Sequence, residues 1–521
     1  MTVSLFIIIA ILCIWILIVY LIKEKGGDAF SIWGPILLWK TEKGKALIER
    51  IAKKGEFWKR YADLAIIICS ISMILMFLLI LWNVNLSFKI SPKNAPSPRM
   101  LIGLPGLNPI IPIGYGVVAI AVAIIIHEFS HGILAMVEKI KVKALGLIFF
   151  IFPIGAFVEP DEEELEKVSR KKRSHVFAAG PMSNLLLAFI CALLFSSVFM
   201  ASVTPKVEGA LITGEVQDSP LAAENIKPWS VIVSFNGTEI RNVSNFEKVI
   251  ESIHPGKEYN FTFFFNGKWY DKNILGGMVV AMVADGYPAD KAGIKEGDVI
   301  YKINDTTITN ESTFFTAMNK TKSGKEIMVQ YFRYNNGKYT LHVTPVTLED
   351  KYSYYQKYNP EGNKEWYKGK GFIGLNIIAF GISVAPVDYY PERLAHPLKS
   401  MNSFFFYIAL PFAGLSPFPK DFASLYTTPF SAPLFWVLSN LLYWLFWLNF
   451  AVGTFNVLPA IPLDGGYIFR DGISYAIEKM KGNWKKEKLD KVTHAITMFF
   501  SIIVLLSIVA IILIPRLRLL F

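Results

Sequence analysis

The chain is poor in charged residues and in cysteine, and both shortages limit the classes of protein to which it can belong. Only 18% of its 521 residues are charged, whereas 53% are hydrophobic, and soluble globular domains have a different balance. This composition excludes an ordinary soluble protein and indicates a membrane protein. The three cysteines, Cys13, Cys69 and Cys191, lie in apolar stretches without metal-ligand spacing, so we expect them to be packing residues.

Apolar runs long enough to cross a bilayer recur along the chain, since a hydrocarbon core of about 30 Å requires about 20 apolar residues. We predict a polytopic α-helical membrane protein with about six transmembrane helices. The predicted spans are Val3–Ile22, Leu64–Leu86, Ile110–Val137, Val176–Ser202, Leu434–Val457 and Thr493–Ile514. The stretch Asn402–Leu415 is interrupted by Pro411, so we expect it to be interfacial or re-entrant.

The formal net charge of +11 indicates a topology and not a nucleic-acid partner. The basic residues are concentrated in short loops after spans one, three and five, and the positive-inside rule places such loops in the cytoplasm. We therefore expect a multi-pass protein of the cell membrane, in contact with lipid, with an uncleaved first span. The Asn-X-Ser/Thr sequons all fall in segments that this topology places outside, at Asn85, Asn236, Asn242, Asn260, Asn304, Asn310 and Asn319.

The soluble insert between spans four and five contains an internal repeat. Residues 219–237 realign with residues 287–305 at a shift of 68 residues, and Asn-Gly dipeptides bound β-like runs in the insert. A repeat with its own apolar strands predicts two small α/β domains.

We predict six regions along the chain. They are an N-terminal membrane segment with a basic cytoplasmic loop (1–109), the first half of a membrane core (110–205), a first small domain (206–275), a second small domain (276–347), a linker and interfacial segment (348–430), and the second half of the core with the last span (431–521).

The third span carries the motif His127-Glu128-Phe129-Ser130-His131. A charged side chain at the bilayer centre costs about 2.5–3.5 kcal/mol on insertion scales, so we expect a bound cation to compensate these groups. On a helix, positions i and i+4 share one face, so both imidazoles can bind one Zn²⁺ while Glu128 reaches a water on the metal.

A catalytic zinc site needs a third protein ligand, and Asp464 is the best candidate. It follows Pro459 and Pro462 in an otherwise apolar segment at the end of the fifth span. Prolines unwind membrane helices, and unwound backbone at membrane depth is tolerated where it lines an enclosed cavity. We expect Asp464 to project into such a cavity.

These motifs together resemble the site-2 protease family of intramembrane zinc metalloproteases. The resemblance rests on the His-Glu-x-x-His motif, on Gly180-Pro181-Met182-Ser183-Asn184, and on the Asn-x-x-Pro-x-x-Pro-Leu-Asp-Gly string that begins at Asn456. It covers residues 110–205 and 430–475 and the insert. The family does not account for the first two spans, and residues 346–430 match it only loosely.

The resemblance implies an endopeptidase that hydrolyses peptide bonds within or near transmembrane segments of membrane-protein substrates, as in regulated intramembrane proteolysis. It implies Zn²⁺ as the cofactor, on the cytoplasmic side of the membrane. The implied roles are zinc ligation by His127, His131 and Asp464, general-base catalysis by Glu128, a position near the scissile carbonyl for Asn456, and extended substrate binding by Gly155, Ala156, Phe157 and Val158.

The second copy of the repeat resembles PDZ domains of bacterial and archaeal proteases through its Pro-Ala-x-x-Ala-Gly-Ile-Lys-x-Gly-Asp-Val-Ile string from Pro288. The first copy departs from this string at Asn225 and at Trp229-Ser230. PDZ domains pair an extended peptide with a sheet edge. Peptide binding by the pair and steric gating of the membrane core both stay open.

Two other classes of function stay open on the residues alone. A non-catalytic PDZ-bearing membrane scaffold with a structural metal site would not need Glu128 beside its ligands. An ion transporter would also use unwound helices and intramembrane carboxylates, but it predicts repeats among the spans, and we find none. Asn184 is expected to form a helix–helix hydrogen bond, and His175 is assigned no role.

Overall fold

A computed structural model describes residues 2–25, 29–41, 44–92, 95–101, 103–150, 152–251, 253–335, 337–358, 365–480, 482 and 484–517. The chain divides into two units. The first, which we call the membrane unit, comprises Met1–Val198, Ile408–Pro417 and Val437–Phe521. The second, which we call the β unit, comprises Phe199–Tyr407 and Phe418–Trp436.

The helices are α1 (Thr2–Lys25), α2 (Lys45–Ala52), α3 (Gly55–Ser87), α4 (Ile113–Val137), α5 (Glu162–Lys167), α6 (Arg170–Leu194), α7 (Pro220–Ala223), α8 (Val243–Val249), α9 (Pro288–Lys291), α10 (Glu311–Asn319), α11 (Lys351–Tyr358), α12 (Tyr389–Ala395), α13 (Met401–Ala409), α14 (Lys420–Ser424), α15 (Ala432–Asn456), α16 (Asp464–Met480) and α17 (Lys486–Leu517).

The strands are β1 (Phe30–Trp33), β2 (Ile36–Thr41), β3 (Val142–Phe150), β4 (Phe152–Pro160), β5 (Thr204–Pro205), β6 (Ala210–Glu215), β7 (Val231–Phe235), β8 (Thr238–Glu239), β9 (Glu258–Phe265), β10 (Lys268–Leu275), β11 (Met278–Val283), β12 (Val299–Ile303), β13 (Thr306–Thr307), β14 (Glu326–Asn335), β15 (Lys338–Thr347), β16 (Glu349–Asp350), β17 (Gly371–Phe372), β18 (Leu375–Ala379), β19 (Ile382–Pro386) and β20 (Tyr426–Thr427).

Five helices in the described part of the chain are long and apolar enough to cross a membrane: α3, α4, α6 with its continuation to Ser202, α15 and α17. They contain the predicted spans two, four and six, and all but one end of spans three and five, because α4 begins at Ile113 and α15 ends at Asn456. The first predicted span, Val3–Ile22, falls within α1. The side chains of residues 1–9 and 11–12 lie outside the described residues, so a sixth span stays a prediction.

Small residues let the helices of the membrane unit approach closely. Ala119 and Ala123 of α4 and Ala178 and Ala179 of α6 are fully buried, and α4 and α6 pack against each other. Without a hydrophobic driving force between helices in lipid, such close approach gains packing and interhelical hydrogen bonds. This arrangement brings the His-Glu-x-x-His helix against α6.

A four-stranded antiparallel sheet in the order β1-β2-β3-β4 packs on α4. Its first two strands come from residues 30–41, which lie in the segment that sequence analysis assigned only to a basic loop. Leu37 of β2 lies opposite Phe149 of β3, although the two are more than 100 residues apart. β4 is the outer strand on the other side, and Gly155, Ala156, Phe157 and Val158 lie in it.

The β unit contains two domains that repeat each other element by element. One sheet has the order β10-β9-β7-β6-β19 and the other the order β15-β14-β12-β11-β18. β6 and β11 begin 68 residues apart, as do β7 and β12. Asn225 and Trp229 of the first copy have the same backbone conformation as the glycines at the equivalent positions of the second copy. Their φ angles are 56° and 70°, and those of Gly293 and Gly297 are 75° and 89°.

One short segment completes both sheets. β18 pairs with β11 in the second domain, and β19, three residues further on, pairs with β6 in the first. The predicted ranges 206–275 and 276–347 therefore end before the outer strand of each sheet, and the predicted linker 348–430 is corrected accordingly. The alignment of the repeat missed these strands because they follow both copies in the chain.

Candidate active site

Two helices of the membrane unit bring three metal-binding side chains to one point. His127 and His131 lie one turn apart on α4, with their Nε2 atoms 3.1 Å apart. Asp464 is the first residue of α16, and its Oδ2 lies 3.1 Å from Nε2 of His127 and 3.4 Å from Nε2 of His131. No fourth His, Cys, Asp or Glu belongs to this cluster in the described part of the chain.

The spacing of these three atoms suits a tetrahedral metal ion. Zinc–ligand distances of about 2.0–2.2 Å place neighbouring tetrahedral ligands about 3.3–3.6 Å apart, close to the three separations observed. Two imidazoles and one carboxylate leave one of four positions open, as catalytic zinc sites do. The residues present therefore fit a catalytic divalent metal ion.

Hydrogen bonds on the far side of each imidazole orient the two rings. Nδ1 of His131 donates to the carbonyl of Val176 at 2.7 Å, and Nδ1 of His127 donates to Oδ1 of Asn184 at 3.1 Å. With the protons on Nδ1, both Nε2 lone pairs face the cluster. Asn184 is fully buried and is held in turn by the carbonyl of Ala123 and Oδ1 of Asn449.

Asp464 is positioned by a break between α15 and α16. The backbone N–H of Ile461 within the break donates to Oγ of Ser501 on α17 at 3.0 Å, so a side chain satisfies a group that the broken helix leaves unpaired. Gly465 and Gly466 start α16 so close to residues 457–460 that a Cβ at either position would overlap the backbone there. The two glycines therefore let Asp464 begin the helix at the cluster.

Glu128 faces the sheet. Its Oε2 accepts a hydrogen bond from the backbone N–H of Val158 in β4 at 3.0 Å. Because β4 is an outer strand of the sheet, an extended peptide can pair with its free edge. The carboxylate of Glu128 therefore binds a backbone N–H that such a peptide would otherwise use.

One cavity of about 1070 Å³ contains these groups. Its lining includes His127, Glu128, His131, Asn456, Asp464, Phe157 and Val158. Gly155 and Ala156 precede Phe157 in the same strand. The cavity thus brings together the predicted metal-binding, catalytic and substrate-binding regions.

Asp161 caps the short helix α5. Its carboxylate accepts the backbone N–H of Glu164 and lies 3.4 Å from Nζ of Lys143, and both contacts hold its pKa below the ordinary value. The cap fixes the helix from which Glu162 and Glu166 line the cavity.

Sequence reasoning missed three contributors to the site. Asn184 forms the helix–helix contacts expected of it and also orients His127. Gly180 lies so close to the cluster that a Cβ there would overlap both imidazoles. His175, which was assigned no role, is buried between Glu138 and Asp63 at 2.7 and 3.0 Å, beside the carbonyl that holds His131. The Gly-Pro-x-x-Asn string carried the signal for the first two.

A His-His-Asp cluster with an adjacent carboxylate, whose two histidines lie on a helix long and apolar enough to cross a membrane, defines a membrane-bound metallohydrolase-type site. The model of peptidase family M50 matches residues 115–504. The chain therefore belongs to peptidase family M50, the site-2 protease family, and is a membrane metalloprotease of that type.

Proteins of several organisms are similar to this chain. An uncharacterised protein of Methanocaldococcus jannaschii is 28% identical over 268 residues, which cover 50% of this chain and 68% of that protein. The regulator of sigma E protease of Haemophilus influenzae is 22% identical over 448 residues, 74% of this chain and 94% of that one. Protease RseP of Yersinia pestis is 21% identical over 466 residues, covering 73% and 93%.

Proposed function

We propose that the protein is an intramembrane zinc endopeptidase that cuts within or near transmembrane segments of membrane-protein substrates, in regulated intramembrane proteolysis. The observation that carries the proposal is the convergence of His127, His131 and Asp464 beside Glu128 in one cavity bounded by a sheet edge. His127, His131 and Asp464 would hold Zn²⁺. When bound, the ion supplies Lewis-acid polarisation of a carbonyl and acidifies water.

Glu128 is the proposed general base. It lies one residue from a ligand and in the same cavity, so it can take a proton from the attacking water and return it to the leaving amine. Asn456, at the last residue of α15, lines the cavity beside Asp464 and is proposed to donate to the scissile carbonyl. The backbone amides of β4 hold the substrate in line with these groups.

A transmembrane helix must unwind before it can be cut, because its carbonyls are bonded within the helix. The outer edge of β4 offers main-chain groups that replace those bonds. Pairing with β4 would also compete for the N–H of Val158 and release Glu128 from its resting contact. Binding of an extended substrate and freeing of the base are then one event.

The two β domains are proposed to be PDZ-like and extracytoplasmic. Their outer strands β18 and β19 each end a sheet in the described part of the chain, and an extended peptide joins such an edge through main-chain hydrogen bonds. Substrate tails or gating segments are the proposed ligands. Cysteines placed at Asn242 and Lys486 test the topology in intact cells, where an impermeant label should mark the first and spare the second.

The alternative of a PDZ-bearing scaffold with a structural metal site is less well supported. Structural zinc sites are usually closed by four protein ligands, whereas the cluster here has three. A structural site also has no use for the carboxylate of Glu128 in its cavity.

Glu128→Gln tests the catalytic proposal. The variant should keep the metal content of the parent and lose about 10²–10⁴-fold in cleavage of a model transmembrane substrate, whereas His131→Ala and Asp464→Asn should lose both metal and cleavage. Glu162→Gln is the matched control, since its carboxylate lines the same cavity outside the cluster. Cleavage by Glu128→Gln at the parent rate would refute the base assignment.

A further inference from the structure

The N-terminal hairpin β1–β2 supplies part of the wall of the active-site cavity. Ser31, Trp33, Leu38 and Lys40 line the same cavity as the metal cluster. These residues precede the 115–504 match to the family model, so this wall lies outside the matched part of the chain.

Alternation along the two strands places the four side chains on one face. Ser31 lies opposite Leu38, and Trp33 lies opposite Ile36. Lys40 lies opposite Gly146, which in turn lies opposite Phe157 of β4. Directly opposed residues share a face of a sheet, so the hairpin face is continuous with Phe157.

The other face of the hairpin is anchored. Phe30, Ile32 and Leu37 pack against Trp15 and Val19 of α1, and Nε1 of Trp15 donates to the carbonyl of Pro35 at 2.7 Å. The cavity face is therefore held in place by a small core of its own. Lys40 adds a tie across the sheet to Glu159 of β4 at 3.5 Å.

Trp33 is the exceptional residue of this face. It is 76% exposed, although it belongs to the wall of a concave cavity. Ligand sites pair apolar and aromatic walls with a few polar groups, and tryptophan is among the residues that most often dominate binding energy. Gly146 contributes to the same surface, because the ring of Phe157 lies over it where any Cβ would overlap.

We propose that this hairpin face is a second substrate-binding surface, at which Trp33 receives a large apolar side chain from the unwound segment that flanks the scissile bond. The inference rests on the proposed function and assigns part of the substrate specificity to the hairpin face of the same cavity. The partner is an extended apolar peptide segment of a membrane-protein substrate.

The register of the sheet sets where on the substrate this contact falls. By the strand pairing, Trp33 lies three strand spacings across the sheet and about six residues along it from Val158, which amounts to about 24 Å for strands about 4.8 Å apart with a rise of about 3.3 Å per residue. A substrate segment that leaves the edge of β4 and crosses the cavity face of the sheet towards β1 covers this distance in about seven residues when extended. The recognised side chain should therefore lie about seven residues from the scissile bond, on one side of it.

A photo-crosslinking amino acid in place of Trp33 tests the contact, in the full chain with Glu128→Gln to retain a model transmembrane substrate. Position 39 is the matched control, because Trp39 of the neighbouring strand β2 is also an exposed tryptophan and lies on the opposite face of the hairpin. Position 33 should crosslink about seven residues from the cleavage site, and position 39 should not. Crosslinking from Phe157 but not from position 33 would overturn the inference.

Kinetics give a second measurement. Trp33→Ala should raise KM on the order of ten-fold with little change in kcat or metal content, and Trp39→Ala should leave KM near the parent value. A substrate in which the large apolar residue at the seventh position is replaced by alanine should raise the KM of the parent by a similar factor. The same substrate change should not raise the KM of Trp33→Ala any further.

The two proposals fail in different ways. If Glu128→Gln cleaves like the parent, the proposed function fails whatever Trp33 does. If Glu128→Gln is inactive while Trp33→Ala keeps the parent KM, only the hairpin proposal is overturned.

Discussion

Arg173 and Asp471 form a two-point ion pair between α6 and α16. Nε and Nη2 of the arginine lie 2.8 and 2.5 Å from the two carboxylate oxygens, and the Asp471 side chain is only 3% exposed. Asp471 follows Asp464 by seven residues, two helical turns, so both point from the same face of α16. The pair therefore fixes the helix that presents the third proposed metal ligand.

Arg173→Met should destabilise the protein and weaken its metal binding. Removing one partner of a buried ion pair typically costs about 3–5 kcal/mol, because the other charge is left uncompensated. Asp471 would then turn towards water and rotate Asp464 away from the histidines. Thermal melting and metal content after dialysis against a chelator measure the two effects.

Two further variants separate charge from packing. Arg170→Met removes the neighbouring ion pair with Glu478, which is more exposed, and should change stability by about 1 kcal/mol or less. Arg173→Met combined with Asp471→Leu removes both buried charges and should recover stability and metal together. A single Arg173→Met variant with the metal affinity of the parent would contradict the positioning role.

Gly180→Ala should abolish metal binding with a change of one methyl group. Its Cβ would occupy the space of both imidazole rings, and the two helices α4 and α6 cannot move apart without loss of the packing between them. Gly472→Ala is the matched control, because it lies within α16 where a Cβ meets nothing within 4 Å. That control should gain up to about 1 kcal/mol of stability from helix propensity.

Metal content and circular dichroism check the Gly180 prediction. Gly180→Ala should keep its helical signal while its metal is lost, since the clash is local to the cluster. Equal metal content in Gly180→Ala and Gly472→Ala would show that the imidazole rings can accommodate the added methyl group, and would contradict the prediction.

The parts of the site that could be predicted are those with a local signal. His127 and His131 share a helix face by their spacing, and Asp464 is a lone acid after prolines in an apolar segment. The five membrane helices follow from composition and length. Each of these signals lies within about 25 consecutive residues, the length of one element.

The parts that could not be predicted depend on contacts between distant segments. β1–β2 joins a sheet whose other strands follow more than 100 residues later, and nothing in the basic loop indicates its partner. β18 and β19 complete two domains to which they are not contiguous. Trp229 takes a left-handed backbone that a bulky residue rarely adopts, held by aromatic contacts with Tyr390 and Phe422.

Asn184→Leu should lower metal affinity by about 10–100-fold, the usual effect of removing a partner that orients a metal-binding histidine. The leucine is similar in volume but cannot accept the proton on Nδ1 of His127. Metal competition titrations measure the change.

Asn184→Asp distinguishes this orienting role from helix packing. The carboxylate still accepts from His127 but loses the donors to Ala123 and Asn449. We therefore expect Asn184→Asp to recover metal affinity more than stability. Loss of affinity in Asn184→Asp equal to that in Asn184→Leu would assign the residue to packing alone.

The two β domains should differ in how they respond to equivalent substitutions. Asp298 is 2% exposed and pairs with Arg333 at 2.6 and 2.7 Å, which raises the pKa of the arginine. At the equivalent position of the first copy, Ser230 bonds to the hydroxyl of Tyr270 at 2.8 Å. Asp298→Ala leaves the charge of Arg333 without its partner and should lower the free energy of unfolding by about 3–5 kcal/mol. Ser230→Ala removes one neutral hydrogen bond and should lower it by about 1 kcal/mol.

Hydrogen exchange in the full chain measures both domains at once. Asp298→Ala should raise exchange along β12 and β14 while β7 and β9 stay protected, because the lost pair joins only the second sheet. Ser230→Ala should change the first sheet slightly. Arg333→Met in the Asp298→Ala background should restore protection in β12, since no unpaired charge remains. If protection is not restored, the carboxylate of Asp298 is needed for its contact with the backbone N–H of Lys295.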